Sequence, residues 1–280
     1  MKSLPYINLG CGAHFDPKWV NLDFTKTGDG VIAHNLTKGI PFADSTFEVV
    51  YHSHVLEHFS KIEAENFMYE CFRVLKRNGI IRIAIPNLED IVNCYTRLIA
   101  QLKVNPDDKY LQSCYEWIML ELYDQTVRNY SGGDMVQFLS NSELINEDFI
   151  IKRCGHEVKD IIENYKIAKK QSHTILKYRP TILQRVKSLP STIRRKLITM
   201  FLGSEVNAFK IGQFRLSGEI HSWMYDSVSL SRLLKTVGFS EIREVNANES
   251  RIPDWKSFGL ELVGAEIRKP DSLFMEAVKL

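Results

Sequence analysis

The short apolar run Tyr6-Ile7-Asn8-Leu9 stops at Gly10-Cys11-Gly12, and this junction constrains the chain more than any other feature. Neither glycine carries a Cβ, so the backbone at a strand-terminal G-x-G turn approaches a ligand closely. Turns of this kind open nucleotide sites at the carboxyl ends of strands in doubly wound sheets. Taken alone the signal equally describes a plain tight turn, so the following segments decide its meaning. Four more runs succeed it: Trp19-Val20-Asn21-Leu22, Val31-Ile32-Ala33, Phe47-Glu48-Val49-Val50-Tyr51 and Ile80-Ile81-Arg82-Ile83-Ala84-Ile85. The last two are β-branched and nearly continuous, as parallel strands buried on both faces are. Between them, Ile62 to Leu75 repeats apolar residues at helical spacing, with Asn78-Gly79 as the expected stop. Strand, helix, strand predicts a βαβ unit, a parallel sheet and an α/β fold.

Phe15 stands where the dinucleotide fingerprint G-x-G-x-x-G requires its third glycine, which argues against NAD or FAD. Asp23 closes the second strand, where a carboxylate has two acceptor oxygens for the two hydroxyls of an adenosine ribose. A plain turn before Thr25-Lys26-Thr27-Gly28 is the alternative reading of that acid. Only nine residues, Gly10 to Lys18, join the first two strands, fewer than the dozen a parallel crossover usually takes. The usual helix is therefore expected to shrink to one turn or to a loop.

The rest of the chain divides by character. Residues 1–87 and 217–280 read as one α/β core, and residues 88–216 as a helical insert. Helices are expected over Leu88–Leu102, Tyr110–Tyr123 and Val158–Ile175. From Lys159 to Met200 eleven Lys or Arg face two acids, with Ile182, Leu183, Val186, Leu189 and Ile193 interleaved. That stretch is either a solvated face or a surface for a membrane or a polyanionic substrate. Ser227 to Val237 reads as a helix stopped by Gly238. The alternating segments Phe239–Val245 and Ser272–Val278 have no helix between them, so they should pair antiparallel at a sheet edge.

Composition bounds the class. The 280 residues are 44% hydrophobic and 25% charged with a net charge of +2, the balance of a soluble globular protein without a global pull toward nucleic acid. Cys11, Cys71, Cys94, Cys114 and Cys154 form no C-x-x-C pair and read as thiols of a reducing compartment. No basic-then-apolar leader opens the chain and no apolar run reaches membrane-spanning length, so a cytoplasmic location is expected.

Several segments together resemble the class I S-adenosylmethionine-dependent methyltransferases. They are Tyr6 to Gly12, Trp19 to Asp23, Pro41 to Val50, His54-Val55-Leu56-Glu57-His58 and Arg73 to Gly79. More narrowly the chain is similar to predicted methyltransferases of the type 11-like group that also shorten the first crossover. Gly218 to Asp226 and Arg268 to Leu273 extend that similarity, which covers residues 5 to 90 and 217 to 279 and not the insert. The resemblance implies a Rossmann-like doubly wound, mostly parallel sheet with an antiparallel edge, and S-adenosyl-L-methionine as cofactor. It further implies that Gly10, Cys11 and Gly12 wrap the methionine part, that Asp23 takes the ribose, that Asn35 and Leu36 flank the adenine, and that Ser53 lies beside the sulfonium. Family members often carry an acid where this chain has Asn35.

Methyl transfer from a sulfonium is an in-line displacement, and a base is needed only if the acceptor has a proton to lose. Histidine suits that role near neutral pH. His54 and His221 are the candidates, with Glu219 and Tyr225 as possible orienting groups; each histidine is equally readable as structural. The acceptor is expected to be a small molecule or a carrier-linked sugar, methylated at oxygen, with peripheral membrane contact through the basic insert. His54 to His58 also spells H-x-x-E-H, the zinc signature of inverted metallopeptidases, which puts two histidines on one helix face. Its position directly after a buried strand favours the methyltransferase reading, and no metal is expected. A cofactor-binding accessory protein without transferase activity is the remaining alternative.

Overall fold

The computed structural model describes residues 5–141, 143–171 and 203–280. A seven-stranded sheet is built from β1 (Tyr6–Leu9), β2 (Val20–Asp23), β3 (Val31–Ala33), β4 (Phe47–Ser53), β5 (Leu75–Pro86), β6 (Ser240–Val245) and β9 (Ser272–Val278). Its order is β3-β2-β1-β4-β5-β9-β6, and a separate two-stranded hairpin pairs β7 (Leu262–Val263) with β8 (Glu266–Ile267). β1 to β5 run parallel; β9 is antiparallel to both β5 and β6. The sheet is thus Rossmann-like and mostly parallel, with β6 at the antiparallel edge and β9 one position inside it.

One face is covered by α1 (Lys61–Val74) and α8 (Ser227–Val237). Ser60 caps α1 in a capping box with Glu63, which satisfies two orphan N–H groups and sets the start of the helix. Ala64, Phe67, Met68, Cys71 and Val74 then fall on the buried face. Asp226 and Ser229 form the same box on α8, and Gly238 at φ 110° ends it. The stop expected at Asn78-Gly79 comes earlier. α1 ends at Val74 and passes straight into β5, because Leu75 already pairs with Phe47 of β4. Asn78, at φ 63°, lies inside β5.

The second face departs from a doubly wound sheet for a simple reason of length. The ten-residue β1–β2 link, Gly10 to Trp19, holds no helix, so Trp19, Val49, Tyr51, Ile252, Trp255 and Leu260 cover that face instead. Trp19 packs edge-on against Tyr6, Tyr51, Trp255 and Phe258. In the middle of the same face Arg82 is wholly buried. It donates to Glu276, its cross-strand partner, at 2.8 Å and also to Glu261.

His52 of β4 is fully buried with neither ring nitrogen hydrogen-bonded, its ring edge against Phe67. Burial lowers its pKa to about 3. The unfolded chain therefore binds more protons than the folded one between about pH 3 and 6.5, and stability falls as pH falls through that window. The maximal slope for one such group is about 1.4 kcal/mol per pH unit. His52→Phe keeps the ring and removes the proton site, so denaturant midpoints measured from about pH 6.5 down to 4.5 should fall less steeply than in the parent. An unchanged slope would refute the assignment.

The insert leaves and rejoins the core at one point: Asn87 and Tyr225 form a bridge, and the Leu88 N–H donates to the Tyr225 carbonyl at 3.1 Å. Its described part is helical: α2 (Leu88–Val104), α3 (Lys109–Val127), α4 (Gly133–Leu139), α5 (Glu147–Cys154), α6 (His156–Gln171) and α7 (Val206–Arg215). α4 and α5 were not expected from periodicity, since each spans barely two turns. The last residues of the expected 158–175 helix, and most of the basic stretch with its interleaved apolar residues, lie outside the described residues. No described helix is long and apolar enough to cross a membrane.

Candidate active site

Strand register brings the expected donor-site residues to one edge. Leu9 pairs with Leu22 and with His52, so the turn at Gly10 lies between Asp23 and Ser53. Asp23 pairs with Ala33, which sets His34 and Asn35 just beyond. Gly10 and Gly12 both take left-handed backbones, at φ 65° and 56°. Their needs differ: a Cβ on Gly10 would stand 2.3 Å from Val55 Cγ2, whereas a Cβ on Gly12 would meet nothing within 4 Å. Gly10 is packed and Gly12 faces open space, as a cradle for a ligand must.

The Asp23 carboxylate braces this turn. Its Oδ2 accepts from the Gly12 N–H at 2.8 Å and its Oδ1 from the Thr25 N–H at 3.2 Å. The Thr27 hydroxyl donates to the Gly12 carbonyl, a clasp that the sequence reading missed. Cys11 is buried, its thiol pushed up to about 11 by burial and by Asp23, and its Sγ lies 3.5 Å from the Gly12 carbonyl. Asn35 caps the short turn Leu36–Lys38, its Oδ1 accepting from the Thr37 N–H at 3.0 Å and the Thr37 hydroxyl at 2.9 Å. That leaves the amide nitrogen of Asn35 as its donor toward a ligand. Leu36 packs on the main core.

A cavity of roughly 300 Å³ lies next to this edge, between the sheet and the insert. His54, Pro86, Lys269 and Asp271 line its sheet side; Trp117, Glu121, Arg128 and Glu157 are among the residues that line its helical side. His54, at φ 54°, sits at the wall with Nε2 2.9 Å from Ser272 Oγ and Nδ1 3.2 Å from Glu57 Oε1. Burial, then Lys269, holds its imidazole well below the usual histidine range. Asp271 was not singled out as a site residue. Burial, reinforced by Glu121 and opposed by Lys269 and Arg153, pushes its carboxyl up to about 7. It reaches the cavity because β9 is antiparallel: the start of that strand lies where the parallel strands end, with Ser272 opposite Pro86.

The other expected groups lie elsewhere. His221 is buried and does not line the cavity; its ring stands edge-on to His58 with centroids 4.8 Å apart. Glu219 accepts from Arg128 at 3.3 Å and from the Gly132 N–H at 2.9 Å, tying the loop to the insert. Tyr225 is buried in the core. The inverted-peptidase geometry does not form, because only Leu56–His58 make a single 3-10 turn and the left-handed His54 precedes it. His54 and His58 therefore share no helix face.

Residues 9–83 match the family model described as a methyltransferase domain. No curated protein matches the chain. Among solved structures, the YcgJ protein of Bacillus subtilis is 22% identical over 33% of this chain and 51% of its own, with a TM-score of 0.25. The chain thus matches only about half the length of that protein. A SAM-dependent methyltransferase of Archaeoglobus fulgidus is 10% identical, over 99% of this chain and 86% of its own, with a TM-score of 0.38. A SAM-dependent methyltransferase of Thermotoga maritima, described as a possible histamine N-methyltransferase, is 10% identical over 98% and 82%, with a TM-score of 0.37.

Proposed function

We propose, from the premise that residues 9–83 are a class I methyltransferase domain using S-adenosyl-L-methionine, that this protein methylates a small acceptor held in the cavity beneath the insert. The observation that carries the reading is the cradle: an open left-handed Gly12 braced by the Asp23 carboxylate at the carboxyl edge of β1 and β2. Gly10 to Gly12 would hold the methionine part and Asp23 the ribose, with Asn35 and Leu36 at the adenine and Ser53 near the sulfonium. The bound cofactor supplies an activated methyl group, so the protein's share is alignment, and orientation of this kind supplies roughly 7–11 kcal/mol.

The acceptor side would work through two proton-accepting groups on the cavity wall. Burial keeps the His54 ring neutral, and its Nε2, 2.9 Å from Ser272 Oγ, would be the nitrogen that accepts a proton. Asp271, titrating near 7, is the better matched base at neutral pH for an acceptor hydroxyl. A sugar, free or on a carrier, methylated at oxygen is the acceptor we favour. Its carrier-linked form rests on the basic sequence between Lys159 and Met200.

Asp23→Ala tests the donor site. It removes the brace on Gly12 and the acceptor for the ribose, and hydrogen bonds to a charged group contribute about 1.5–3 kcal/mol. Calorimetric titration with S-adenosylhomocysteine should show affinity reduced roughly 10- to 150-fold. Unchanged affinity would reject this donor site.

A further inference from the structure

Behind the cavity wall, three side chains from two distant segments converge. One ligand atom each of Glu57, His58 and His221 lies within 4.8 Å of the others. The segments are pinned together by backbone contacts. The Ser222 N–H donates to the Glu57 carbonyl at 2.7 Å, and the Ser222 hydroxyl to the His58 carbonyl at 3.1 Å. The His221 N–H donates to the Gln125 carbonyl of α3 at 2.9 Å. The cluster is therefore held by framework rather than by chance proximity of loose side chains.

Two further features point to a ligand. Glu57 is 1% exposed, and neither carboxylate oxygen has a hydrogen-bond donor among the described residues. Although His54 Nδ1 is near Oε1, it is not aligned to donate. A buried carboxylate in that condition needs a proton or a cation. His58 Nδ1 lies 3.1 Å from the Ile220 carbonyl, which only accepts, so the proton is on Nδ1 and the lone pair on Nε2. A backbone carbonyl on one ring nitrogen is how metal-binding histidines are oriented. The neighbouring cations are already engaged, Arg128 with Asp124 and Glu219, and Lys269 with Glu157.

We propose that Glu57, His58 and His221 form a three-ligand site for a divalent transition-metal ion of zinc's class, with a fourth position left open. Two imidazoles and one carboxylate are a donor set that zinc takes with bonds of about 2.0–2.2 Å. Tetrahedral coordination at those lengths brings ligand atoms to about 3.4 Å from one another, so small side-chain rotations close the present spacing. This set differs from the one spelled by H-x-x-E-H, because Glu57 is a ligand, His54 is not, and His221 comes from a segment over 160 residues away. The ion would ionise Glu57 beside His54 Nδ1. The site itself stands independently of the methyltransferase reading.

The experiment uses the full chain, dialysed against chelator, with zinc titrated by calorimetry and cobalt(II) by visible d–d absorption. One equivalent per chain is expected. His221→Ala and His58→Ala should each weaken binding at least about 100-fold, beyond the 10- to 100-fold that loss of an outer-shell partner brings. Glu57→Gln keeps the shape and should weaken binding as well. S-adenosylhomocysteine titration of the same samples reports the donor site separately, and a cooperative thermal unfolding transition verifies that each variant is folded. A folded parent that binds no metal, or variants that bind as the parent does, would overturn the proposal, whereas failure of S-adenosylhomocysteine to bind would strike the donor site alone.

Discussion

Gly12→Val should abolish S-adenosylhomocysteine binding while the protein still unfolds in one cooperative thermal transition. Gly12 has φ 56° and nothing within 4 Å of its Cβ position, so valine meets no wall of the protein. Two costs fall on the ligand-bound form instead. A β-branched residue in the left-handed region costs of order 1–3 kcal/mol, which the turn relieves by moving away from the Asp23 brace. The added methyl groups also occupy the space from which a ligand approaches the strand end. Together these should lower affinity by at least about 100-fold, and calorimetry should record no heat at micromolar protein. Gly12→Ala should fall between parent and valine. Gly10→Ala is the contrasting variant: its Cβ meets Val55 at 2.3 Å, so its loss should appear in thermal stability as well as in binding. A folded Gly12→Val protein that binds as the parent does would mean that the turn serves the fold alone.

Arg82→Met should cost about 3–5 kcal/mol of stability, because it strips the buried Glu261 of its ion-pair partner and leaves the buried Glu276 with Arg243 alone. Arg82 and Glu276 are 0% exposed and Glu261 is 3% exposed, and Arg82 also stacks on Trp255 at 4.4 Å. Burial already pushes Glu261 up to about 7 against the pull of Arg82. Removing that pull raises it further, so the variant should recover part of its loss as the pH falls toward the carboxylate range and the acids take up protons. Urea midpoints of Arg82→Met, and of the triple variant with Glu261→Gln and Glu276→Gln, measure this. The triple variant should be more stable than the single one, since it removes both buried charges and unpairs only the partly exposed Arg243. A single variant within about 1 kcal/mol of the parent would show that the network contributes no more than a surface pair.

Much of the parallel half of the sheet was legible from residues because its signals are local. Tyr6–Leu9, Val20–Asp23 and the β-branched run of β5 are strands whose burial leaves an apolar record in the chain itself, and the short apolar edge strand Val31–Ala33 is bounded by turn residues. The left-handed glycines at 10 and 12 and the capped start of α8 at Asp226 are local too. The cofactor class came from the resemblance of Tyr6 to Gly12, Trp19 to Asp23 and the later segments together to class I S-adenosylmethionine-dependent methyltransferases, not from any one local pattern.

Tertiary structure alone decided which of the polar residues meet. Asp271 reads in sequence as a turn acid before a late strand. It becomes a cavity group because antiparallel pairing of β9 with β5 carries the start of that strand to the edge where the parallel strands finish. His54 and His221 looked alike as candidate bases, and packing separated them, setting one on the cavity wall and the other against His58. Arg82, set in an isoleucine-rich run, gave no sign of the two acids that hold it from 179 and 194 positions away. A side chain's local pattern records its own face of a strand or helix, but the partner across the fold is chosen by sheet order and loop length. Those depend on contacts between segments that no local period encodes.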